Sequence, residues 1–253
     1  MRKILTAIIA AAALQNTAFA AAPNIENYNS AKIAYGMGNS VDSENRPVDA
    51  VNYEEKYSDL GGLFIGDSEH KRLWLTFDEG YENGFTPKIL DTLKEKNVHA
   101  VFFVTYDYAE KNPDLIRRMI DEGHTVGNHT CSHPSLPECS IEKQREELSN
   151  LHEYIKQNFN YDMYVMRPPK GEFSEQVLVV ARELGYTTVL WSFAYPDWDT
   201  SNQPDIAFAY NKITSKTHNG AVYLLHAVSE TNTKILGKVI DYWKDNGYII
   251  TPM

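Results

Sequence analysis

The chain has 253 residues, 43% hydrophobic and 12% aromatic, with a formal charge of −10 at pH 7. This is globular composition, enough for one large domain or two small ones. The negative charge argues against nucleic acid and anionic membrane surfaces as partners.

Residues 1–20 read as a signal peptide, removed on export. Met1-Arg2-Lys3 is basic, Ile4 to Leu14 is apolar but too short to span a bilayer, and Ala18-Phe19-Ala20 fits a small-x-small cleavage site. Its loss takes the charge from −10 to −12, because Arg2 and Lys3 are its only charged residues. No other run reaches transmembrane length. Residues 21–71 are polar and lack clear periodicity, so they read as an extended N-terminal arm. Tyr57–Gly66 is its one apolar patch and is expected to pack on the main domain. Export permits a disulfide between Cys131 and Cys139; two independent thiols are the alternative.

From Arg72 to Met253 strands and helices alternate. Strand patterns cover Arg72–Asp78, Ala100–Thr105, Thr125–Thr130, Tyr164–Pro168, Thr187–Phe193, Ala221–Ala227 and Tyr248–Pro252. Helical patterns cover Thr86–Asn97, Asp114–Glu122, Ile141–Phe159, Ser174–Leu184, Asp205–Thr217 and Thr233–Asn246, with Asn112 expected to cap the second. Gly123, Gly185 and Gly247 each stand between a helix and the next strand, as left-handed helix stops do. The alternation predicts an α/β domain with a parallel sheet, barrel-like over residues 72–253. An open doubly wound sheet competes, but no Gly-rich phosphate loop follows the first strand.

Polar residues collect where the strands end. Arg72-Leu-Trp-Leu-Thr-Phe77 runs into Asp78, Glu79 and Gly80; two carboxylates cannot be buried there without partners. His129 and His133 end the third strand, and their spacing lets both imidazoles share a metal. Arg167 precedes two prolines, a rigid turn presenting a planar cation near the acids. Asp197-Trp198 follows the fifth strand. His226 ends the apolar strand Ala221–Leu225, placed to act as a proton donor that Asp197 could orient or tune. In parallel α/β barrels this end of the strands carries the active site.

The ordered set Thr76-Phe77-Asp78-Glu79-Gly80, His129-x-x-x-His133, Arg167-Pro-Pro-x-Gly171, Asp197-Trp198 and Leu224-Leu225-His226 resembles the five motifs of the polysaccharide deacetylases, carbohydrate esterase family four. The extended forms Phe77-Asp78-x-Gly-Tyr-Glu-Asn-Gly84, Ser192-Phe-Ala-Tyr-x-Asp197-Trp198 and Leu224-Leu-His-Ala-Val-Ser229 resemble a subgroup, the N-acetylmuramic acid deacetylases of spore-forming bacteria. Their product is closed to muramic δ-lactam in cortex peptidoglycan.

The resemblance implies a distorted (β/α)7 barrel that hydrolyses an amide with a divalent metal ion, zinc being the expected one. Asp78 would be the general base, His226 the acid that protonates the leaving amine, Arg167 the residue holding Asp78, and Asp197 the residue tuning His226. Glu79, His129 and His133 would hold the metal. Lys170, through its backbone N–H, would bind the oxyanion. Trp198 could wall the sugar site or simply belong to the core, and Leu224 is a further candidate contact. The implied partner is the peptidoglycan glycan strand, outside the cytoplasm. A deacetylase of N-acetylglucosamine units in peptidoglycan or chitin-like oligomers is the rival enzyme; a non-catalytic wall-binding module is the rival from another class. One position departs from the family: the second acid is aspartate in most members and asparagine in the muramic subgroup, whereas this chain has Glu79. The extra methylene displaces its carboxylate by about one bond length.

Overall fold

A computed structural model describes residues 24–253; the expected signal peptide lies outside them. The chain opens with strand β1 (Ile33–Ala34), helix α1 (Val48–Tyr57) and strand β2 (Gly62–Leu63). The stretch read as an extended arm therefore contains a helix and two strands. Only Ala50 and Tyr57 of α1 are buried, so the helix carries no apolar stripe to betray it. A strand of two residues is too short for alternation to show.

Next come β3 (Arg72–Glu79), α2 (Thr86–Glu95), β4 (Val101–Val104), α3 (Tyr106–Lys111), α4 (Pro113–Asp121), β5 (Thr125–Asn128) and α5 (Ile141–Phe159). They are followed by β6 (Val165–Met166), β7 (Glu172–Phe173), α6 (Glu175–Glu183), β8 (Thr187–Val189), α7 (Ile206–Ser215), β9 (Ala221–His226), α8 (Glu230–Asp245) and β10 (Ile249–Ile250). Ser140, Ser174, Asp205 and Ser229 cap α5, α6, α7 and α8 by accepting backbone N–H bonds. Asn112 does not cap α4 as expected; its amide donates to the Tyr108 carbonyl and closes α3. Gly123, Gly185 and Gly247 take φ of +81°, +86° and +78°, the left-handed stops their positions called for.

The seven expected strands and β2 form one sheet in which every neighbouring pair is parallel. Its order is β10-β3-β4-β5-β6-β8-β2, with β9 on the other side of β3. The sheet curls until Phe193, just beyond β8, bridges Tyr223 of β9. This is the distorted α/β barrel the resemblance implied.

Strand parity sorts β3 between two layers. Leu73, Leu75 and Phe77, all fully buried, join the large core shared with the helices. Trp74 instead packs on a small inner cluster of Val101, Phe103, Val165, Val189 and Val222. Thr76 and Asp78 follow Trp74 inward, and Glu79 follows Phe77 outward.

The N-terminal segment braces the mouth of the barrel. β1 pairs antiparallel with β7. The Tyr35 N–H donates to the Gly171 carbonyl at 3.0 Å, and its hydroxyl donates to the Trp191 carbonyl at 2.5 Å.

Candidate active site

Arg167 is fully buried at the centre of the curl. Its Nε and Nη2 donate to the carbonyls of Val189 and Leu190, both at 3.0 Å. Nη1 donates to Thr76 Oγ1 at 2.8 Å and to Asp78 Oδ1 at 2.7 Å. The guanidinium lies 4.3 Å from the centre of the Phe103 ring, a cation–π contact strengthened by the dry surroundings. Burial alone would push the Asp78 carboxyl upward. The charge of Arg167, reinforced by its hydrogen bond and by His226 across the cleft, outweighs it and holds Asp78 below the usual carboxylate range. Asp78 is therefore an ionised carboxylate with one oxygen bound to Arg167.

The other oxygen, Oδ2, faces His129 Nε2 at 3.7 Å. His129 donates from Nδ1 to the Arg167 carbonyl at 2.8 Å, which turns the Nε2 lone pair into the cleft. Burial lowers its pKa to about 4, so the ring is neutral. His133 stands nearly perpendicular to it, ring centres 4.9 Å apart. A tight loop, not a helical turn, brings the rings together. Thr130 and His133 both adopt left-handed φ, +70° and +57°, and the His133 N–H donates to Thr130 Oγ1 at 3.0 Å. A β-branched residue at positive φ is strained. Asn128 holds the loop by accepting from the Thr130 N–H and donating to the Leu148 carbonyl, and Glu147 accepts both bonds of Ser132. The sequence assigns no role to Asn128, Thr130 or Glu147, because each acts through a local turn. Cys131 in this loop and Cys139 beyond it are free thiols.

His226 and Asp197 pair as expected. The His226 Nδ1–H donates to Asp197 Oδ1 at 2.7 Å, and its backbone N–H donates to Oδ2 at 2.9 Å. Burial would lower the His226 pKa, but the bond to Asp197, its charge and that of Asp78 prevail and raise it. Lys170 sits on the rim with φ of +59°. Trp198, 60% exposed, and Leu224, 6% exposed, lie on the same cleft of about 800 Å³. Tyr81, Trp191 and Tyr195 also line it; these aromatics beside strand ends were the unused sequence signal for its walls.

Glu79 is not brought to the imidazoles. It is fully buried on the outer side of β3, where Thr86 Oγ1 approaches its two oxygens at 3.4 and 3.5 Å. Burial, followed by the charge of Glu82, raises its pKa well above the usual value. Consecutive side chains on a strand face opposite ways, so Asp78 and Glu79 cannot both enter the cleft while β3 continues to residue 79. Among the described residues no three His, Cys, Asp or Glu side chains converge closely enough to count as a formed metal site. The donor chemistry nonetheless fits a divalent cation: two neutral imidazoles and a carboxylate oxygen beside them. Glu79→Gln is therefore expected to leave zinc affinity, read by isothermal titration, within about twofold of wild type. His129→Ala is expected to lower it by tenfold or more. A comparable loss in both variants would return Glu79 to the ligand set.

The profile of the family described as "Polysaccharide deacetylase" matches residues 65–189. The peptidoglycan-N-acetylmuramic acid deacetylase PdaA of Bacillus subtilis is 43% identical over 195 residues, 77% of this chain and 73% of its own. The chain belongs to the polysaccharide deacetylase family. A peptidoglycan-N-acetylglucosamine deacetylase of Bacillus cereus is 34% identical over 78% of this chain and 70% of its own. The structure of Bacillus subtilis PdaA, a family 4 carbohydrate esterase, superposes with a TM-score of 0.83 at 37% identity, covering 88% of this chain and 96% of that one. As a polysaccharide deacetylase the chain is a hydrolase of carbon–nitrogen bonds other than peptide bonds.

Proposed function

We propose that this deacetylase removes the N-acetyl group from N-acetylmuramic acid residues of peptidoglycan, the first step towards muramic δ-lactam in spore cortex. What carries the reading is that Asp78 and His226 are register partners on β3 and β9, so an ionised base and a proton-bearing acid face one cleft from adjacent strands. Asp78 takes the proton of the water that attacks the acetyl carbonyl. His226 delivers a proton to the departing sugar nitrogen, so acetate and a free amine result. Arg167 keeps Asp78 ionised, and Asp197 keeps His226 oriented and protonated. A divalent cation held by His129 and His133 beside Asp78 would polarise the carbonyl and ease deprotonation of water. We take zinc as that cation. The Lys170 peptide N–H, at its left-handed position on the rim, is assigned to the developing oxyanion.

The muramic reading is supported by the 43% identity to PdaA against 34% to the glucosamine enzyme, and by chemistry at the rim. Muramic acid differs from glucosamine by a lactyl carboxylate, and among the described residues Lys170 is the only lysine or arginine lining the cleft. The Trp198 face offers the sugar a stacking wall. Retention of both acid and base speaks against a purely binding role. We place the enzyme's action outside the cytoplasmic membrane, at the wall; no described helix is long and apolar enough to cross a membrane.

The deciding experiment is mass spectrometry of digested peptidoglycan after treatment, with acetate release measured with and without a chelator. Acetyl loss on muramic acid is expected; loss confined to glucosamine would give the reaction to the rival substrate, and no release would leave a binding module. Lys170→Ala should raise KM about two- to fivefold on muramic glycans, the scale of an exposed ion pair. It should leave KM on chitin-like oligomers unchanged.

A further inference from the structure

Asp197 is fully buried, and its carboxylate is held by three N–H donors. Two belong to His226. The third is the Asn232 side-chain amide, which donates to Oδ2 at 2.5 Å from the first turn of α8. Two donors that move with His226 cannot fix the residue meant to orient it. Asn232 is the side-chain tie that comes from a different element.

Asn232 is itself tightly placed. It is 1% exposed. Ser229 caps α8 and accepts the Asn232 N–H at 3.1 Å, which sets its side chain six residues beyond His226. The Tyr195 hydroxyl donates to Asn232 Oδ1. This fixes the direction of the amide, since a reversed group would set its oxygen against the carboxylate and leave Nδ2 against a hydroxyl already able to donate. Tyr195 lines the cleft, so a continuous chain of hydrogen bonds runs from the cleft wall through Asn232 and Asp197 to His226.

We propose that Asn232, aligned by Tyr195, is a positioning residue that locks Asp197 and thereby aims His226 at the leaving nitrogen. The proposal rests on the deacetylase reading of the same site. By occupying Oδ2, the amide leaves Oδ1 to the imidazole and prevents the buried carboxylate from rotating towards other partners. The titratable groups around it are Asp197, His226 and Tyr195, with Asp78 across the cleft.

The test compares acetate release by wild type, Asn232→Ala, Asn232→Asp and Tyr195→Phe, each first shown to be folded by its thermal transition. For Asn232→Ala, kcat is expected to fall roughly ten- to a hundredfold, with KM within about twofold. Asn232→Asp keeps the shape and provides a second reading. Its acid form can donate to Asp197, whereas its ionised form repels it. Its activity relative to wild type should therefore recover as the pH is lowered, while the ratio for Asn232→Ala stays flat. Tyr195→Phe should lose less than Asn232→Ala, because it disturbs the amide only indirectly. A folded Asn232→Ala with wild-type kcat, or an Asn232→Asp ratio independent of pH, would overturn the proposal. Inactive wild-type enzyme would instead defeat the deacetylase reading on which it stands.

Discussion

Replacing Arg167 with alanine is expected to cost the fold about 3–5 kcal/mol at neutral pH, the usual penalty for leaving a buried charge without its partner. Four groups lose a donor at once: the Asp78 carboxylate, the Thr76 hydroxyl and the carbonyls of Val189 and Leu190. The pH dependence separates the ion pair from general damage to packing. In the wild type the Asp78 pKa is depressed, so its contribution to stability is present above the unfolded carboxylate value and is lost as pH falls through the folded one. In the variant the buried carboxylate has lost the guanidinium that outweighed its burial, its pKa is expected to rise, and acidification relieves the penalty by protonation. Urea unfolding at several pH values should therefore show the gap between wild type and variant narrowing as pH is lowered. A gap constant with pH would mean that Arg167 acts by filling space alone.

His226→Ala is expected to reduce kcat by roughly two to four orders of magnitude, the usual share of a positioned general acid. The fold should survive, because a quarter of that side chain is exposed (24%). Metal content should be unchanged, since His226 points to Asp197 and not to the other two rings; loss of metal would recast it as a ligand. Asp197→Asn probes the same group through its proton. The raised pKa of His226 owes its direction to Asp197 first and Asp78 second, working against burial. An acid must be protonated to act, so activity is lost as pH rises through that pKa. Removing the Asp197 charge lowers the pKa, and the alkaline limb of the kcat profile should move to lower pH. An unmoved limb would assign it to another group.

Much of this site was legible because it breaks the rules of a buried strand. Asp78, His129, Arg167 and His226 each interrupt or end an apolar run, and strand ends on one side of a parallel sheet must converge. Glu79 entered the ligand set through the family resemblance alone, at the one position where this chain departs from the family. The correction was available in the same stretch: Leu73, Leu75 and Phe77 mark the helix-facing parity, and Glu79 continues it. Asn232 carried no such signal. An asparagine three residues after a serine cap looks like an ordinary helix position until its partner, 35 residues away, is known. α1 and β2 were missed for a similar reason, since what orders them lies in distant contacts and not in local periodicity.

The bond from Tyr35 to Gly171, and the β1–β7 pairing beside it, have a practical meaning. The segment by which the family is recognised begins at residue 65, and a gene fragment trimmed to start there would look complete. It would discard the buttress under the Lys170 turn and the strand that flanks β8. A fragment meant to keep the rim of the cleft braced should thus reach back at least to Ile33, across residues whose composition gives no hint that they support it.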